Sequence, residues 1–243
     1  MADFPLVLLL AALPALGNFA GGVIAEFVDV SARMLSRALH IAAGVVTAVV
    51  AVELMPQALA GVAPAWAIAL ALLIGGGFYM LLGWSVDRLA GADGATAGAS
   101  MVYAAVGVDL FGDGLMIGVG SAVSLSLALV LAVGQVLADI PEGFAAIANL
   151  KSKGVWRLWR IALSASFFAF CLLGATIGYW LLRGQSEALK LAALAFTGGV
   201  LQIAAVEDLM REAHEAAEDT RWSSLHFIGG FALFTALASY FDH

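Results

Sequence analysis

Four acidic residues interrupt two long apolar stretches at the points where membrane-spanning helices would have their middles. Asp109 and Asp113 lie in the first stretch, Asp139 and Glu142 lie in the second, and no charged residue separates Asp113 from Asp139. An ionised side chain in hydrocarbon costs at least about 2.5–3.5 kcal/mol, so it needs a compensating partner. Neither stretch contains Lys or Arg before Lys151. The sequence therefore predicts that a bound cation, or protonation, compensates the four acids.

The composition places the chain among membrane proteins. Of its 243 residues, 63% are hydrophobic and only 12% are charged, which is not typical of a soluble domain. A helix needs about 20 mostly apolar residues to span a bilayer, and charge clusters and turn signals divide the chain into about eight such segments. We therefore predict an all-α integral membrane protein with a single transmembrane domain over residues 1–243. The predicted segments are Phe4–Glu26, Ala38–Ala60, Ala65–Val86, Ser100–Ser121, Val123–Leu150, Leu158–Leu182, Ala188–Arg211 and Trp222–Phe241.

The rest of the composition excludes several kinds of partner and site. Much of the net charge of −7 comes from acids in the apolar stretches and in the segment Glu212–Asp219, so no nucleic-acid partner is expected and the lipid bilayer is the expected environment. Cys171 is the single cysteine, which excludes a disulfide framework and a clustered thiolate site. The N-terminus lacks a basic region and a small-residue cleavage site, so we interpret it as a retained first helix.

The basic residues predict the orientation of the chain in the membrane. With eight spans and the N-terminus outside, nine of the 11 Lys and Arg residues fall on the cytoplasmic side, as the positive-inside rule requires. Both termini are then non-cytoplasmic, and the plasma (inner) membrane is the expected location. The cytoplasmic set is Arg33, Arg37, Arg88, Lys151, Lys153, Arg157, Arg160, Arg211 and Arg221, and the opposite set is Arg183 and Lys190.

The acids are spaced so that each pair shares one helix face. Asp109 and Asp113 are four residues apart, and Asp139 and Glu142 are three apart. Both spacings make neighbours on the surface of an α-helix. Two such pairs on consecutive helices predict one polar site near the middle of the membrane. The alternative is that neutral polar side chains such as Gln135 partner the acids.

Two residues predict irregular backbone beside the acids. Gly112 permits local unwinding, which would expose carbonyl oxygens. Pro141 removes one backbone hydrogen bond and frees the carbonyl of Leu137. Broken helices at membrane depth are tolerated where they line a cavity.

Five further residues are candidates for the approach to the site or the exit from it. Glu53 is either a solvated helix end or part of an entry vestibule, and Cys171 is either a packing residue or faces the pathway. Glu207 and Asp208 lie near the inner end of the seventh segment. His214 and its acidic neighbours are either a solvated loop or metal ligands at the exit.

The second and seventh segments are similar in sequence. When Gly44 is set against Gly199, Glu53-Leu54-Met55 aligns with Asp208-Leu209-Met210. One segment is even in the helix count and the other is odd, so they cross the membrane in opposite directions. This relation indicates an inverted repeat.

The two acid-bearing helices also resemble each other, because Gly112-Asp113-Gly114 aligns with Pro141-Glu142-Gly143. The predicted architecture is a 3+2+3 arrangement of helices. Inverted repeats around a polar site near the midplane are typical of transporters that work by alternating access. The repeats cover about 4–86 and 158–241, and the central pair covers about 100–150.

These motifs resemble those of the ZIP (Zrt/Irt-like) family of metal-ion transporters. Ala138-Asp139-Ile140-Pro141-Glu142-Gly143 is similar to the fifth-helix motif of the family, Asp/Asn-x-Pro-Glu-Gly. Ala42-Ala43-Gly44 through Pro56 resembles its second helix, and Gly198-Gly199 through His214 resembles its seventh. The resemblance covers nearly the whole chain, and the fifth-helix motif is its most specific part.

The resemblance implies a ligand set and an activity. Asp109-Leu110-Phe111-Gly112-Asp113 replaces the family's fourth-helix motif His-Asn-x-Pro-Glu, and Cys171 stands where many members carry a sixth-helix acid. One main metal site is therefore expected, with Asp139 as a supporting or transit ligand. The implied activity is uptake of a divalent cation (zinc, manganese or iron(II)) toward the cytoplasm, often by a homodimer, with no cofactor beyond the transported ion. The implied metal ligands are Asp109, Asp113, Asp139 and Glu142.

Ligand chemistry and two alternative functions complete the sequence-based hypotheses. A set of carboxylates favours manganese or iron(II), although zinc also accepts carboxylate oxygen. A proton-coupled carrier or channel without metal would use the same acids as a relay. An intramembrane aspartyl protease would use two acids on adjacent helices. Because Phe111-Gly112-Asp113-Gly114 does not match the Gly-x-Gly-Asp pattern of such proteases, we predict that the protein is not an enzyme.

Overall fold

The computed structural model describes residues 3–28, 31–61, 63–89, 95–216 and 222–241, and this part of the chain forms helices and no strand. Arg221, which the orientation argument uses, lies outside the described residues. Eight helical rods follow one another within these ranges. They are α1 (Phe4–Phe27), α2 (Ala32–Ala60), α3 (Ala65–Leu89), α4 (Ala95–Val123), α5 (Leu125–Ser152), α6 (Arg157–Leu182), α7 (Glu187–Ala216) and α8 (Ser223–Phe241).

Several helices extend beyond the apolar segments that predicted them. α2 begins at Ala32 rather than at the predicted Ala38, because the Ser31 hydroxyl accepts a hydrogen bond from the Met34 N–H at 3.3 Å and caps the helix there. The start of α4 and the end of α7 also lie outside the predicted segments. Polar first and last turns continue a helix without contributing to the apolar pattern on which the prediction rests.

Seven of the described helices, α1 to α7, are long and apolar enough to cross a membrane. The α8 helix has 19 residues and is not among these seven. The prediction of an all-helical membrane protein is confirmed in this form.

The tryptophans lie where a bilayer would have its interfaces. All six are more than half exposed, and each lies near the end of a helix. Trp side chains are enriched at both membrane–water interfaces because the ring is apolar and the indole N–H is polar. Their placement agrees with helices that cross the hydrocarbon core and end at its two surfaces. The six are Trp66, Trp84, Trp156, Trp159, Trp180 and Trp222.

The helices pack as two groups of four. In the first bundle, α1, α4, α5 and α6 contact one another. In the second bundle, α2 packs on α7 and α8, and α3 packs along α7. Between the bundles, α2 packs on α5 and α4 packs on α7. Both helices that carry the four acids therefore belong to the first bundle, and each packs mainly on one helix of the second.

Glycines make the closest helix contacts within both bundles. A Cβ on Gly21 would overlap the carbonyl oxygen of Ile140, and a Cβ on Gly114 would overlap that of Cys171. Between membrane helices, where lipid removes the hydrophobic driving force, small residues allow the close backbone packing that holds helices together. The equivalent contacts in the second bundle are Gly44 with Phe227, Gly75 with Phe196, Gly199 with Leu72, and Gly230 with Ile41.

Helix α3 offers a matched test of this packing. A Cβ on Gly75 would overlap the Phe196 backbone, whereas a Cβ on Gly77 would meet nothing within 4 Å. We expect Gly75→Ala to lower the free energy of unfolding by about 1–3 kcal/mol through overpacking. Gly77→Ala should leave it unchanged or raise it by up to about 1 kcal/mol, since Ala is the better helix former. Thermal unfolding of the detergent-solubilised variants measures both, and equal effects would contradict the packing role of Gly75.

Candidate metal centre

Three of the predicted ligands converge where α4 and α5 pack together. Asp109, Asp113 and Asp139 each offer a carboxylate oxygen, and these oxygens all lie within 4.8 Å of one another. Three equally spaced oxygens that bind one divalent ion at metal–oxygen distances of about 2.0–2.2 Å stand at most about 3.5–3.8 Å apart. A movement of up to about 1 Å between the side chains would therefore allow all three to bind a single ion.

The fourth predicted ligand joins the same group. The Glu142 carboxyl is in hydrogen-bonding contact with those of Asp109 and Asp139, and the Asp113 and Asp139 carboxyls are in contact with each other. We call these four residues the carboxylate cluster. An ionised carboxylate is only an acceptor, so two of them can meet in this way only when a proton or a cation lies between them.

The interior of the cluster lacks sufficient hydrogen-bond donors. Asp113 and Asp139 are at most 1% exposed, and within the described part of the chain the Oδ2 atom of each has no hydrogen-bond partner. The Gln135 amide nitrogen donates to Asp113 Oδ1, so the alternative of a neutral polar partner holds for this one oxygen. One amide group cannot satisfy four carboxyls, and the Oε1 atom of Gln135 is itself buried without a partner.

A buried acid elsewhere in the chain, Glu26, is neutralised by a basic side chain. Glu26 on α1 has a 5% exposed side chain and receives two hydrogen bonds from Arg160 on α6, at 2.5 Å from Nε and 2.8 Å from Nη2. Arg157 adds a third nitrogen at 3.5 Å. This forked pairing neutralises a carboxylate permanently. Among the described ion pairs none involves a residue of the carboxylate cluster, so its charge needs a partner of another kind.

The backbone irregularity lies elsewhere than predicted. The α4 and α5 helices continue without a break through Gly112 and Pro141, so the expectation of unwound backbone beside the acids is wrong. Neighbouring turns carry the helix through because each residue disturbs at most one of its hydrogen bonds. The irregular segments are instead π-helical turns at Val49–Leu54 in α2 and at Ala205–Met210 in α7. Such turns frequently mark functional sites.

Each π-helical turn carries acids that the sequence identified as pathway candidates. Glu53 lies in the first, is 5% exposed and accepts a hydrogen bond from Gln57 at 3.4 Å. Asp208 lies in the second, with 37% of its side chain exposed. Its charge acts on that of Asp109, so Asp208 is the pathway candidate that the structure brings toward the carboxylate cluster.

Glu207 and His214 lie on a different surface from Asp208. Both line a groove of about 710 Å³ formed mainly by α7, to which Thr47 of α2 and Phe227 of α8 also contribute. The His214 ring packs edge-on against that of His40, with centroids 5.3 Å apart. These two candidates are therefore not brought to the cluster.

Cys171 lies beside the cluster, and its thiol binds a backbone carbonyl. Its backbone packs against Gly114, the residue after Asp113. The Sγ atom donates a hydrogen bond to the Ala11 carbonyl of α1 at 2.8 Å. Of the two interpretations that the sequence left open, this contact favours packing.

Sequence reasoning missed Tyr79 on α3. Its hydroxyl donates a hydrogen bond to Asp208 Oδ2, and the charges of Asp109 and Glu142 also act on it. A signal was available, since a phenol in an otherwise apolar segment needs a hydrogen-bond partner when buried.

A comparison with protein-family models finds no match to this chain. A comparison with curated proteins finds no match either.

The cluster predicts stabilisation by divalent cations. An ion at about 100 times its Kd adds roughly 2.7 kcal/mol to the free energy of unfolding. We expect Mn²⁺ to produce such a gain, and the gain to shrink as the pH falls because protons compete for carboxylate ligands. Asp113→Ala and Asp139→Ala should lose it, whereas Glu187→Ala, at the exposed first turn of α7, should keep it. Thermal unfolding with and without Mn²⁺ is the measurement. Equal gains in all three variants would locate the ion elsewhere.

Proposed function

We propose that this protein is a membrane permease that moves a divalent transition-metal cation toward the cytoplasm. The observation that carries the proposal is a cluster of four carboxyls with no described basic partner, in which the buried Asp113 and Asp139 each keep one oxygen without a hydrogen-bond partner. Such a site binds a cation readily, because the ion replaces the hydration that the carboxylates have lost. No catalysed reaction is part of this proposal.

The donor atoms favour a hard cation. Every candidate ligand in the cluster offers oxygen, and Gln135, which donates to Asp113, adds an amide oxygen without a described partner. The Cys171 thiol is engaged with a backbone carbonyl. Mn²⁺ and Fe²⁺ are bound better by carboxylate and carbonyl oxygens than by soft sulfur ligands. Zn²⁺ also accepts carboxylate oxygen. We propose manganese or iron(II) as the preferred cargo, and zinc as a cation that the site also accepts.

Repeated contacts in the second bundle support the inverted-repeat architecture. Gly44 meets Phe227 as Gly199 meets Leu72. The two contacts correspond when 155 is added to the residue numbers of the first half, from 44 to 199 and from 72 to 227. The same offset relates the contact of Gly75 with Phe196 to that of Gly230 with Ile41. It is also the offset at which the sequence aligns Glu53 with Asp208.

The first bundle supports the same architecture. Gly143 meets Asn18 as Gly114 meets Cys171. Here an offset of 153 relates α1 to α6, from 18 to 171, and an offset of 29 relates α4 to α5, from 114 to 143. These relations pair α1 with α6, α2 with α7, α3 with α8 and α4 with α5. We therefore propose the 3+2+3 arrangement of the ZIP family, with α8 as an eighth span.

The two bundles suggest the moving parts of alternating access. The carboxylate cluster belongs wholly to the first bundle, whereas Glu53 and Asp208 belong to the second. A displacement of the first bundle against the second would move the cluster from near Glu53 to near Asp208. The charges of Asp208 and of Lys153 both act on Glu212. Asp208 is therefore near Lys153, which belongs to the basic residues on the predicted cytoplasmic side. We propose Glu53 on the entry side and Asp208 on the cytoplasmic exit side.

A proton-coupled carrier without metal is the second candidate. The contacts between pairs of carboxyls in the cluster favour it, because a proton shared by each pair would also account for them. The absence of stabilisation by any divalent cation would favour this candidate over a metal permease.

Uptake into proteoliposomes tests the proposed function. We expect the wild-type protein to accumulate Mn²⁺ and Glu142→Ala to abolish this uptake, since the variant removes a carboxyl that contacts two others in the cluster. Glu187→Ala serves as the control and should transport normally. Undiminished uptake by Glu142→Ala would refute the cluster as the transport site.

The proposed orientation predicts which loops are accessible from outside the cell. In a Cys171→Ala background, Gln185→Cys should react with a membrane-impermeant thiol reagent on intact cells. Ser152→Cys should react only after the membrane is opened, because it lies beside Lys151 and Lys153 on the side that the positive-inside rule makes cytoplasmic. Both positions are exposed in the structure, so the reverse labelling pattern would invert the proposed direction of uptake.

A further inference from the structure

Tyr79 occupies an unusual place for a hydroxyl group. Most of α3 is exposed, as suits a helix that faces lipid, but Tyr79 is only 8% exposed. Its ring forms a small apolar cluster with Val200 and Ala204 of α7. The hydroxyl thereby reaches Asp208, further along the same helix, and donates a hydrogen bond to its Oδ2 atom.

The surroundings of this hydroxyl connect the two bundles. Val200 lies opposite Gly112 of α4, 3.7 Å from where a Cβ would be, so this face of α7 is the one turned toward the carboxylate cluster. The charges of Asp109 and Glu142 in the first bundle act on Tyr79, as does that of Asp208 in the second. Tyr79 therefore lies near both the cluster and the more exposed Asp208.

Asp208 has a competing partner on the other side. The Nη2 atom of Arg211 is 4.0 Å from Asp208 Oδ1, and Arg211 is largely exposed. Repulsion from the charge of Asp109 favours rotation of the Asp208 carboxylate toward Arg211. The hydrogen bond from Tyr79 opposes that rotation, because hydrogen bonds to a charged group are about twice as strong as neutral ones.

The proposed repeat separates the function of the hydroxyl from that of the ring. The offset of 155 that relates α3 to α8 places Phe234 at the position equivalent to Tyr79, and Phe234 is fully buried. An aromatic ring fills the space in both halves, and Tyr79 carries a hydroxyl that Phe234 lacks.

We propose that Tyr79 is a positioning residue for cation transfer, whose hydroxyl holds the Asp208 carboxylate toward Asp109 so that Asp208 can accept the ion from the carboxylate cluster. This inference rests on the proposed function. It assigns Tyr79 to the transfer of the ion out of the cluster and not to the binding of the ion within it.

Tyr79→Phe tests the inference because it keeps the ring and removes only the hydroxyl. We expect the maximal rate of Mn²⁺ uptake to fall about tenfold, the lower end of the effect of losing a hydrogen bond to a charged group. The gain in thermal stability with Mn²⁺ should stay as in the wild type, since the cluster is intact. Tyr103→Phe is the matched control. It removes a hydroxyl that contacts Ser166 at 2.8 Å, between α4 and α6, and should leave the uptake rate unchanged.

A double-mutant cycle shows whether Tyr79 acts through Asp208. Asp208→Asn should slow uptake at least as much as Tyr79→Phe, and the double variant should be no slower than Asp208→Asn alone. Additive losses, or an uptake rate for Tyr79→Phe equal to that of Tyr103→Phe, would overturn the inference and leave the permease proposal standing.

If the wild-type protein neither gains stability with Mn²⁺ nor takes it up, the proposed function fails and the inference fails with it.

Discussion

The free energy needed to keep four carboxyls away from water governs this structure. A single carboxylate inside a membrane protein can be neutralised by a basic side chain, as Glu26 is by Arg160. Such a pair holds the carboxylate in one place. The carboxylate cluster has an amide, a few mutual contacts and unpartnered oxygens. Its charge can be balanced only by something that enters from outside, either protons or a cation. This requirement connects the chemistry of the site to transport, because a partner that enters can also leave.

Close glycine packing suits the proposed alternating access, in which the helices hold the site and still move against each other. Within each bundle, glycine contacts bring helix backbones together, and these contacts resist rearrangement because even a methyl group would overlap a carbonyl oxygen. Between the bundles, contact is limited mainly to α2 with α5 and α4 with α7. Rigid bundles joined by a smaller interface are the arrangement in which one body can be displaced against another without unfolding either.

Much of the fold could be predicted from the sequence, since apolar segments bounded by charges identify the helices and their approximate bounds. The helical spacing of Asp109 with Asp113, and of Asp139 with Glu142, placed two acid pairs on neighbouring helices, and the structure brings the four together. The polar helix ends could not be predicted in this way, because a cap such as that of Ser31 depends on one hydrogen bond. Nor could the π-helical turns, because one extra residue in a turn leaves no trace in an apolar pattern.

The wrong expectation at Gly112 and the missed residue Tyr79 have a common physical cause. Sequence reasoning assigned the irregular backbone to the helices that carry the acids, where Gly and Pro weaken the hydrogen-bond ladder. The structure keeps those helices regular, which fixes the positions of the carboxyls, and places the π-helical turns on the opposing helices α2 and α7. A rigid cluster that faces adaptable acids on the other bundle can transfer an ion without distortion of its own ligand set. The groups that we propose to control such a transfer then lie on helices that an apolar pattern identifies only as scaffold, and α3, which carries Tyr79, is one of them.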